Sequence, residues 1–252
     1  MDVLPLKQLG QNFLTDTSYV NRLVEALEIG ANAGEIIEIG PGTGTVTDVL
    51  LSKLSPNQIL YAVDVDKRVT DLLRKKYQNK NLRIIQENIL DWLPSFTANG
   101  GFRIIGSLPY YITSPILHCF VKLNKRPLSI AIIIQEEVAQ KLCAKTPSTS
   151  YLSVFLQTFY EVTYIKKVPK ELFFPIPQVD GAIVKLVNKD NVLIATAEVS
   201  KYEGFLHKAY KNPRKMLNKA FTTEELTKTN IQGNLRPQNI STEEWVKAFK
   251  AL

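Results

Sequence analysis

Residues 35–44, Glu-Ile-Ile-Glu-Ile-Gly-Pro-Gly-Thr-Gly, join a short apolar segment to a glycine-rich turn. Residues 35–39 predict a buried strand, and residues 45–54 after the turn predict a helix. Glycines in such a turn let the backbone approach a ligand closely, and the free N–H groups at the start of the helix favour negative charge. The stretch therefore predicts a strand–turn–helix unit that binds a cofactor at the end of the strand.

The alternation of strand and helix continues along the chain. Apolar patterning predicts helices at 17–28, 67–77, 136–142 and 151–160, and strands at 59–64, 82–86, 103–105 and 130–135. Two further strands, 162–168 and 182–187, are predicted to pair antiparallel at the edge of the sheet. Strands that alternate with helices are typical of βαβ units. The predicted fold class is α/β, with a doubly wound, mainly parallel sheet.

The last quarter of the sequence differs from the rest because it predicts helices only. Residues 188–191, Asn-Lys-Asp-Asn, are the best linker candidate. We therefore predict a large α/β domain over 1–190 and a small all-helical domain over 191–252. Within the small domain, Asn212 followed by Pro213 predicts a helix start. Residues 241–244, Ser-Thr-Glu-Glu, predict a second start with a capping box.

The glycine-rich turn also indicates which cofactor binds. Gly40, Gly42 and Gly44 give the spacing G-x-G-x-G, whereas dinucleotide sites use G-x-G-x-x-G and phosphate loops add Lys-Ser/Thr. Glu38 stands directly before the turn. An acidic side chain beside a tight glycine turn suits S-adenosylmethionine, which has a zwitterionic amino-acid end and a cationic sulfonium. The pattern favours that cofactor over other nucleotides.

Polar side chains also stand at the ends of the next two predicted strands, where ligands bind open α/β sheets. Asp64 could accept both ribose hydroxyls of the cofactor, or it could cap the following helix, for which Asp66 is equally suited. The amide of Asn88 could bond to the edge of the cofactor's adenine, or Asn88 could be an ordinary turn residue. Together these positions predict a single cofactor site at one edge of the sheet.

The segment Ser107-Leu108-Pro109-Tyr110 follows the fourth predicted strand. Hydrogen-bond acceptors next to an aromatic ring suit an adenine that is flipped out of its strand, because the acceptors hold the amine protons while the ring stacks on the base. A proline turn with a packing tyrosine is the structural alternative. The adenine pocket is favoured because the segment lies downstream of a predicted cofactor site.

The charge distribution points to a polyanionic partner. The chain has a formal net charge of +7, and residues 208–219 contain no acidic side chain. The basic side chains of this segment are Lys208, Lys211, Arg214, Lys215 and Lys219. They predict a surface that contacts RNA phosphates, with an ordinary solvated helix as the alternative.

Other features exclude several classes of protein. No apolar run reaches the ~18 residues of a membrane span, and the segment 7–14 begins so early that no leader peptide is expected before it. Cys119 and Cys143 lie in apolar helical contexts without metal spacing, so free thiols in a reducing cytoplasm are expected. With only two histidines in the chain, a histidine-based metal site or triad is disfavoured.

In this order along the chain, the motifs resemble those of the rRNA adenine dimethyltransferases. The similarity covers nearly the whole chain and rests on the segments 11–14, 38–44, 107–110, 135–139, 173–180, 212–215 and 236–237, together with Asp64 and Asn88. Within that family the sequence is most similar to the bacterial enzymes that dimethylate two adjacent adenosines near the 3′ end of small-subunit (16S) rRNA. The resemblance implies a class I S-adenosylmethionine-dependent methyltransferase that is cytoplasmic, acts on immature 30S subunits as a monomer, and uses no metal.

The resemblance also implies roles for individual residues. Asn12 and Leu14 match the segment that covers the methionine part of the cofactor, and Gly40 matches the loop glycine beneath it. Asp64 replaces the family's usual glutamate on the ribose, and Asn88 replaces its usual aspartate. Ser107 is the largest departure, because the family usually has asparagine there, whose carbonyl reaches about an ångström further than a serine hydroxyl.

The implied reaction is an in-line methyl transfer to the adenine amine. Tyr110 stacks on the base, and the Ser107 hydroxyl and the Leu108 carbonyl accept its two N–H bonds. Pro109 fixes the turn, and Phe174 is predicted as a second aromatic wall, with a core phenylalanine as the alternative.

Three other functions stay open at this point. They are a large-subunit rRNA methyltransferase of the macrolide-resistance type, a non-catalytic rRNA-binding assembly factor, which Ser107 keeps in play, and a dinucleotide oxidoreductase, which the glycine spacing disfavours.

Overall fold

The computed structural model describes residues 3–30 and 34–252, except for the side chain of Lys7. The chain forms two compact units: one runs up to Ala139 and resumes over Thr163–Val187, and the other comprises Gln140–Val162 and Asn188–Leu252. Residues 140–162 thus belong to the second unit, whereas the sequence placed them in the first domain. The predicted division at residue 190 stays a prediction.

The main sheet has seven strands. In chain order they are β2 (Glu35–Ile39), β3 (Leu60–Asp64), β4 (Leu82–Gln86), β5 (Phe102–Ser107), β6 (Ser129–Gln135), β7 (Tyr160–Val168) and β9 (Gly181–Asn188). Their spatial order is β4-β3-β2-β5-β6-β9-β7. The strands from β4 to β6 pair in parallel, and β9 runs antiparallel to β6. The predicted α/β fold with a mainly parallel sheet is confirmed.

Strand order reverses between β2 and β5, because β3 and β4 lie on one side of β2 while β5 and β6 lie on the other. Such a reversal leaves a crevice at the carboxyl ends of the two central strands, which is where ligands bind sheets of this type. The register aligns those ends, since Ile39 pairs with Val63 on one side and with Gly106 on the other. The glycine turn and Ser107 therefore meet at one edge of the sheet.

Helices flank the strands. They are α1 (Thr17–Ala26), α2 (Thr45–Lys53), α3 (Lys67–Lys76), α4 (Ile89–Trp92), α5 (Thr113–Lys122) and α6 (Glu136–Cys143). Their apolar faces cover the sheet, as in α1, where Val20, Leu23 and Val24 are buried. Cys119 and Cys143 are free and partly buried within helices. None of the described helices combines the length and apolarity needed to cross a membrane.

A second, two-stranded sheet ties an early segment of the chain to a late one. Its strands are β1 (Phe13–Leu14) and β8 (Phe173–Phe174). They pair antiparallel, with Phe13 opposite Phe174 and Leu14 opposite Phe173.

The second compact unit contains α7 (Tyr151–Phe159), α8 (Val199–Tyr210), α9 (Thr223–Thr229) and α10 (Thr242–Lys250). Four aromatic rings pack together in this unit. Phe205 lies against Phe221, Trp245 and Phe249, and Phe221 also lies against Trp245, with ring centroids 5.4–6.4 Å apart. Ser241 and Glu244 form the predicted capping box. No helix begins at Pro213, contrary to the prediction: α8 ends at Tyr210, and the backbone N–H of Lys215 bonds to the carbonyl of Asn212 in a single turn.

Candidate active site

A cavity of about 290 Å³ lies in unit one at the carboxyl ends of the central strands. All the residues predicted for the cofactor or the reacting base between positions 12 and 110 line it: Asn12, Leu14, Gly40, Gly42, Asp64, Asn88, Ser107, Leu108, Pro109 and Tyr110. They come from β1, the glycine turn, and the ends of β3, β4 and β5. The fold thus assembles in one place side chains that are almost 100 residues apart in sequence.

Contact between the glycine turn and β1 depends on Gly42. Its φ is +55°, and a Cβ there would lie 2.7 Å from the ring of Phe13. Any side chain at this position would be strained and would also push Phe13 away. Glycine therefore lets the amino-terminal strand pack on the turn and close one side of the cavity.

Asp64 is the acidic group at the end of β3. Its Oδ1 accepts a hydrogen bond from the backbone N–H of Asp66 at 2.8 Å, and burial raises its pKa to about 6. The N-cap of α3 is Asp66, which accepts from the backbone N–H of Arg68 at 3.0 Å. Asp66 fills the capping role, so Asp64 is not needed for it, and Asp64 lines the cavity.

Glu38, the acidic residue directly before the glycine turn, also lines the cavity, although no individual role was predicted for it. Its side chain is 1% exposed. Its Oε2 accepts from the Thr47 hydroxyl at 2.7 Å, while Oε1 has no hydrogen-bond partner among the described residues. Burial is the main cause that raises its pKa to about 8. A buried, unsatisfied carboxylate oxygen costs free energy unless a donor or a cation reaches it.

Asn88 caps a helix and also lines the cavity, and its predicted bond to the cofactor's adenine stays a prediction. Its Oδ1 caps α4 by accepting from the backbone N–H of Leu90 at 3.0 Å, and the residue also lines the cavity. One lone pair of that oxygen is therefore engaged, and the second remains for a ligand.

The other half of the cavity consists of β5 and the turn that follows it. The backbone N–H of Leu108 bonds to the carbonyl of Ile133 at 3.0 Å and so holds the turn against β6. Tyr110 begins a short 3-10 helix over Tyr110–Ile112. Its hydroxyl is buried without a hydrogen-bond partner among the described residues, and burial raises its pKa to about 12. The ring is therefore neutral at physiological pH.

Of the two neighbouring phenylalanines, Phe173 lines the cavity and the predicted Phe174 does not. Phe173 is 3% exposed and lines the cavity, whereas Phe174 is 46% exposed and does not line it. Neighbouring residues of a strand point to opposite faces. Pairing of β8 with β1 places Phe173 opposite the buried Leu14, which also lines the cavity.

The basic segment lies in unit two, and its side chains differ in their surroundings. Lys208 bonds to Glu225 at 2.6 Å and lies 4.9 Å from the centre of the Phe221 ring. The remaining four, Lys211, Arg214, Lys215 and Lys219, are exposed, and no ion pair of theirs occurs within the described ranges. Their predicted contact with RNA stays a prediction. No group of three or more potential metal ligands occurs in the part of the chain that the structure describes.

The reversed strand order, the glycine turn and the acidic strand ends define a class I S-adenosylmethionine-dependent methyltransferase. Two solved structures share the fold. The 23S rRNA methyltransferase ErmE aligns with a TM-score of 0.75 and 24% identity, covering 96% of this chain and 99% of that one. A dimethyladenosine transferase from Plasmodium falciparum aligns with a TM-score of 0.79 and 20% identity, covering 94% and 95% of the two chains.

Residues 6–252 match the family model of the ribosomal RNA adenine dimethylases, and the chain belongs to that family. Its relatives include the ribosomal RNA small subunit methyltransferase A of Sulfurihydrogenibium sp. (strain YO3AOP1), which is 36% identical over 98% of this chain and 96% of the relative. The protein of the same name from Chlorobium phaeobacteroides (strain BS1) is 34% identical over 98% and 93%. The family resemblance, the fold and the methyltransferase class predicted from the sequence are confirmed.

Proposed function

We propose that this methyltransferase transfers methyl groups from S-adenosylmethionine to the exocyclic amines of two adjacent adenosines near the 3′ end of small-subunit rRNA, giving dimethyladenosine. The relatives that match nearly the full length of the chain are named as small-subunit enzymes. The observation that carries the proposal is the cavity, in which buried acidic groups and a neutral aromatic pocket share one space.

The residues of the first half fit the proposed cofactor. Glu38 offers an unsatisfied buried oxygen to a cationic group, and Asp64 offers a carboxyl group on the cavity wall to the ribose hydroxyls. Asn88 retains one lone pair for an adenine amine. The cofactor supplies an electrophilic methyl group there, and the ionised carboxylate of Asp64 favours a positively charged ligand over a neutral one.

The residues of the second half position the target. Tyr110 and Phe173 provide the two aromatic walls, between which an unstacked adenine is held. The Ser107 hydroxyl and the Leu108 carbonyl accept the two N–H bonds, which orients the nitrogen lone pair toward the methyl group. This is mainly a positioning effect. No strong base is required, because the amine proton becomes acidic once the nitrogen gains a fourth bond.

Partner and compartment follow from the same proposal. We infer that the enzyme acts in the cytoplasm on the immature 30S subunit, as a monomer, with Lys211, Arg214 and Lys215 on the RNA backbone. Their exposure and the absence of ion pairs in the described ranges support that role.

Mass spectrometry of nucleosides from a strain that lacks the gene tests the proposal. We expect dimethyladenosine to disappear from small-subunit rRNA and to return when the intact gene is restored. Loss from the large subunit instead would identify a resistance-type enzyme, for which the likeness to ErmE shows only a shared fold. A deletion that leaves both subunits fully modified would favour an assembly factor. A gene with Tyr110→Ala serves as the matched control, because it should restore the protein without restoring the modification.

A further inference from the structure

Tyr111 stands beside the base-binding half of the cavity and has no part in the reaction described so far. Its side chain is 60% exposed, yet the residue lines the cavity. It directly follows Tyr110, so the Cα atoms that carry the two rings are about 3.8 Å apart. One tyrosine is thus largely enclosed and the next lies at the opening toward solvent.

The Tyr111 ring packs closely against the backbone at Gly10. Gly10 has a φ of +58°, and a Cβ there would lie 2.9 Å from Cδ1 and 3.1 Å from Cε1 of Tyr111. The same hypothetical Cβ would lie 3.6 Å from Cβ of Pro109. Only glycine allows the 3-10 segment and the amino-terminal segment to approach so closely. This close packing restricts the positions that the exposed Tyr111 ring can take.

An exposed aromatic ring with a fixed orientation is the kind of surface on which an unpaired base stacks. The target adenosine is covalently linked to its neighbours, so when its base lies in the pocket the next base must lie near the opening. Resting on the proposed function, we propose that Tyr111 is a stacking platform for the base that adjoins the target adenosine, including the second adenosine of the methylated pair. The rings of Tyr110 and Tyr111 then stack on two consecutive bases.

Fluorescence of 2-aminopurine tests this platform directly. The probe is a synthetic RNA with the sequence of the 3′ end of 16S rRNA, in which 2-aminopurine replaces the adenosine next to the target, added to saturating enzyme and S-adenosylmethionine. Stacking on a tyrosine quenches the fluorophore. We expect quenching with the native enzyme and with Tyr111→Phe, which keeps the ring, and its loss with Tyr111→Ala. Equal quenching with Tyr111→Ala would overturn the proposal.

A cycle of substitutions supplies the functional measurement. A single abasic site next to the target should lower kcat/KM of the native enzyme about tenfold, the usual effect of one lost stacking contact. Tyr111→Ala should lower it by a similar factor on intact RNA, and the two changes together should cost no more than one of them. Effects that multiply would show that the residue and the base do not meet.

Two further readouts distinguish a role of Tyr111 at the RNA from a role at the cofactor. The affinity for S-adenosylmethionine, measured by calorimetry, should be the same in Tyr111→Ala, and a weaker affinity would assign Tyr111 to the cofactor instead. Failure of the proposed function is distinguishable: the native enzyme would then leave the RNA unmethylated, whereas failure of the platform alone leaves Tyr111→Ala as active as the native enzyme.

Discussion

In the proposed function, the two halves of the cavity bind their ligands by opposite means. The cofactor half presents Glu38 and Asp64, buried acids whose pKa values burial raises to about 8 and about 6. The base half presents Tyr110, Phe173 and the hydroxyl of Ser107, all of which are uncharged. One half recognises charge and the other recognises shape.

This difference explains how one crevice can discriminate between two ligands that both contain adenine. An S-adenosyl group carries positive charge next to its adenine, whereas the target base carries none at the reacting amine. The carboxylate of Asp64, which a pKa of about 6 leaves mostly ionised at neutral pH, attracts the first ligand and not the second. Substitutions in the acidic half should therefore act on cofactor affinity, and substitutions in the aromatic half should act on transfer to RNA.

The largest effect is expected for Tyr110→Ala. Removal of the ring leaves the target amine unpositioned, so kcat/KM for rRNA should fall about a hundredfold or more, while the affinity for S-adenosylmethionine changes little. Methyl transfer to immature small subunits and calorimetry with the cofactor measure the two quantities. A variant that keeps its activity would remove the stacking role.

Asp64→Ala is expected to produce the converse pattern. Loss of a buried charged acceptor should weaken the affinity for S-adenosylmethionine by about 10- to 100-fold, with a smaller effect on the rate at saturating cofactor. Asp64→Asn is the matched control, because its amide oxygen can still accept the hydrogen bond from the backbone N–H of Asp66 but the charge is lost. If both variants lower only the saturated rate, the division of the cavity into two halves is wrong.

The two neighbouring phenylalanines sharpen the comparison within the aromatic half. Phe173→Ala should lower kcat/KM for rRNA about tenfold, because it removes one wall from the base. Phe174→Ala should lower it by about threefold at most, because that side chain is exposed outside the cavity. Parallel assays and melting curves measure activity and folding. A larger effect of Phe174→Ala would restore the sequence-based assignment.

The pH dependence of stability tests the acidic half without any ligand. In the folded protein the pKa of Glu38 lies near 8, above its ordinary value of 4.5. Between these values the folded state holds a proton that the unfolded chain has released, so this group makes the free energy of unfolding fall as pH rises from about 4.5 to 8. Glu38→Gln, which can still accept from Thr47, should gain stability relative to the native protein at pH 8 but not at pH 4. Urea unfolding at both values measures the difference, and equal differences would contradict it.

The smallest effect is expected for Ser107→Asn, which supplies the longer acceptor that the family usually has. We expect equal activity or a gain of a few fold, since the amide oxygen reaches further toward the target amine. The ratio of monomethylated to dimethylated adenosine in a time course would show whether the shorter serine instead makes room for the second methyl group. A strong loss of activity would mean that the pocket is built around serine.

Local patterns in the sequence predicted most of the sheet and the polar ends of its strands. Strand β6 was recognisable because Ile-Ala-Ile-Ile-Ile is apolar at every position, as expected for a strand buried on both faces. Asp64 and Asn88 could be placed because parallel strands bring their carboxyl ends to one edge.

Features that depend on long-range contacts were not predictable. Which of Phe173 and Phe174 lines the cavity depends on the face that β8 turns toward it, and β8 is held in place by β1, some 160 residues earlier. The state of Glu38 depends on complete burial beneath the turn, which the residues around it in the sequence do not reveal. Asn212-Pro213 carries a helix-start signal, but the chain forms only a single turn there, closed by the hydrogen bond from the backbone N–H of Lys215 to the carbonyl of Asn212.

The last strand of the main sheet to be synthesised is β9, which begins at Gly181. β6 is buried along Ser129–Ile134, and its free edge is covered by β9 from Gly181 onward. Until that strand emerges, a nascent chain exposes the edge of β6, whose residues 130–134 are apolar and rich in isoleucine, the kind of segment that seeds aggregation. Truncations that end between residues 140 and 180 should therefore accumulate in inclusion bodies or be degraded, and a premature stop codon there would leave no partly active fragment in the cell.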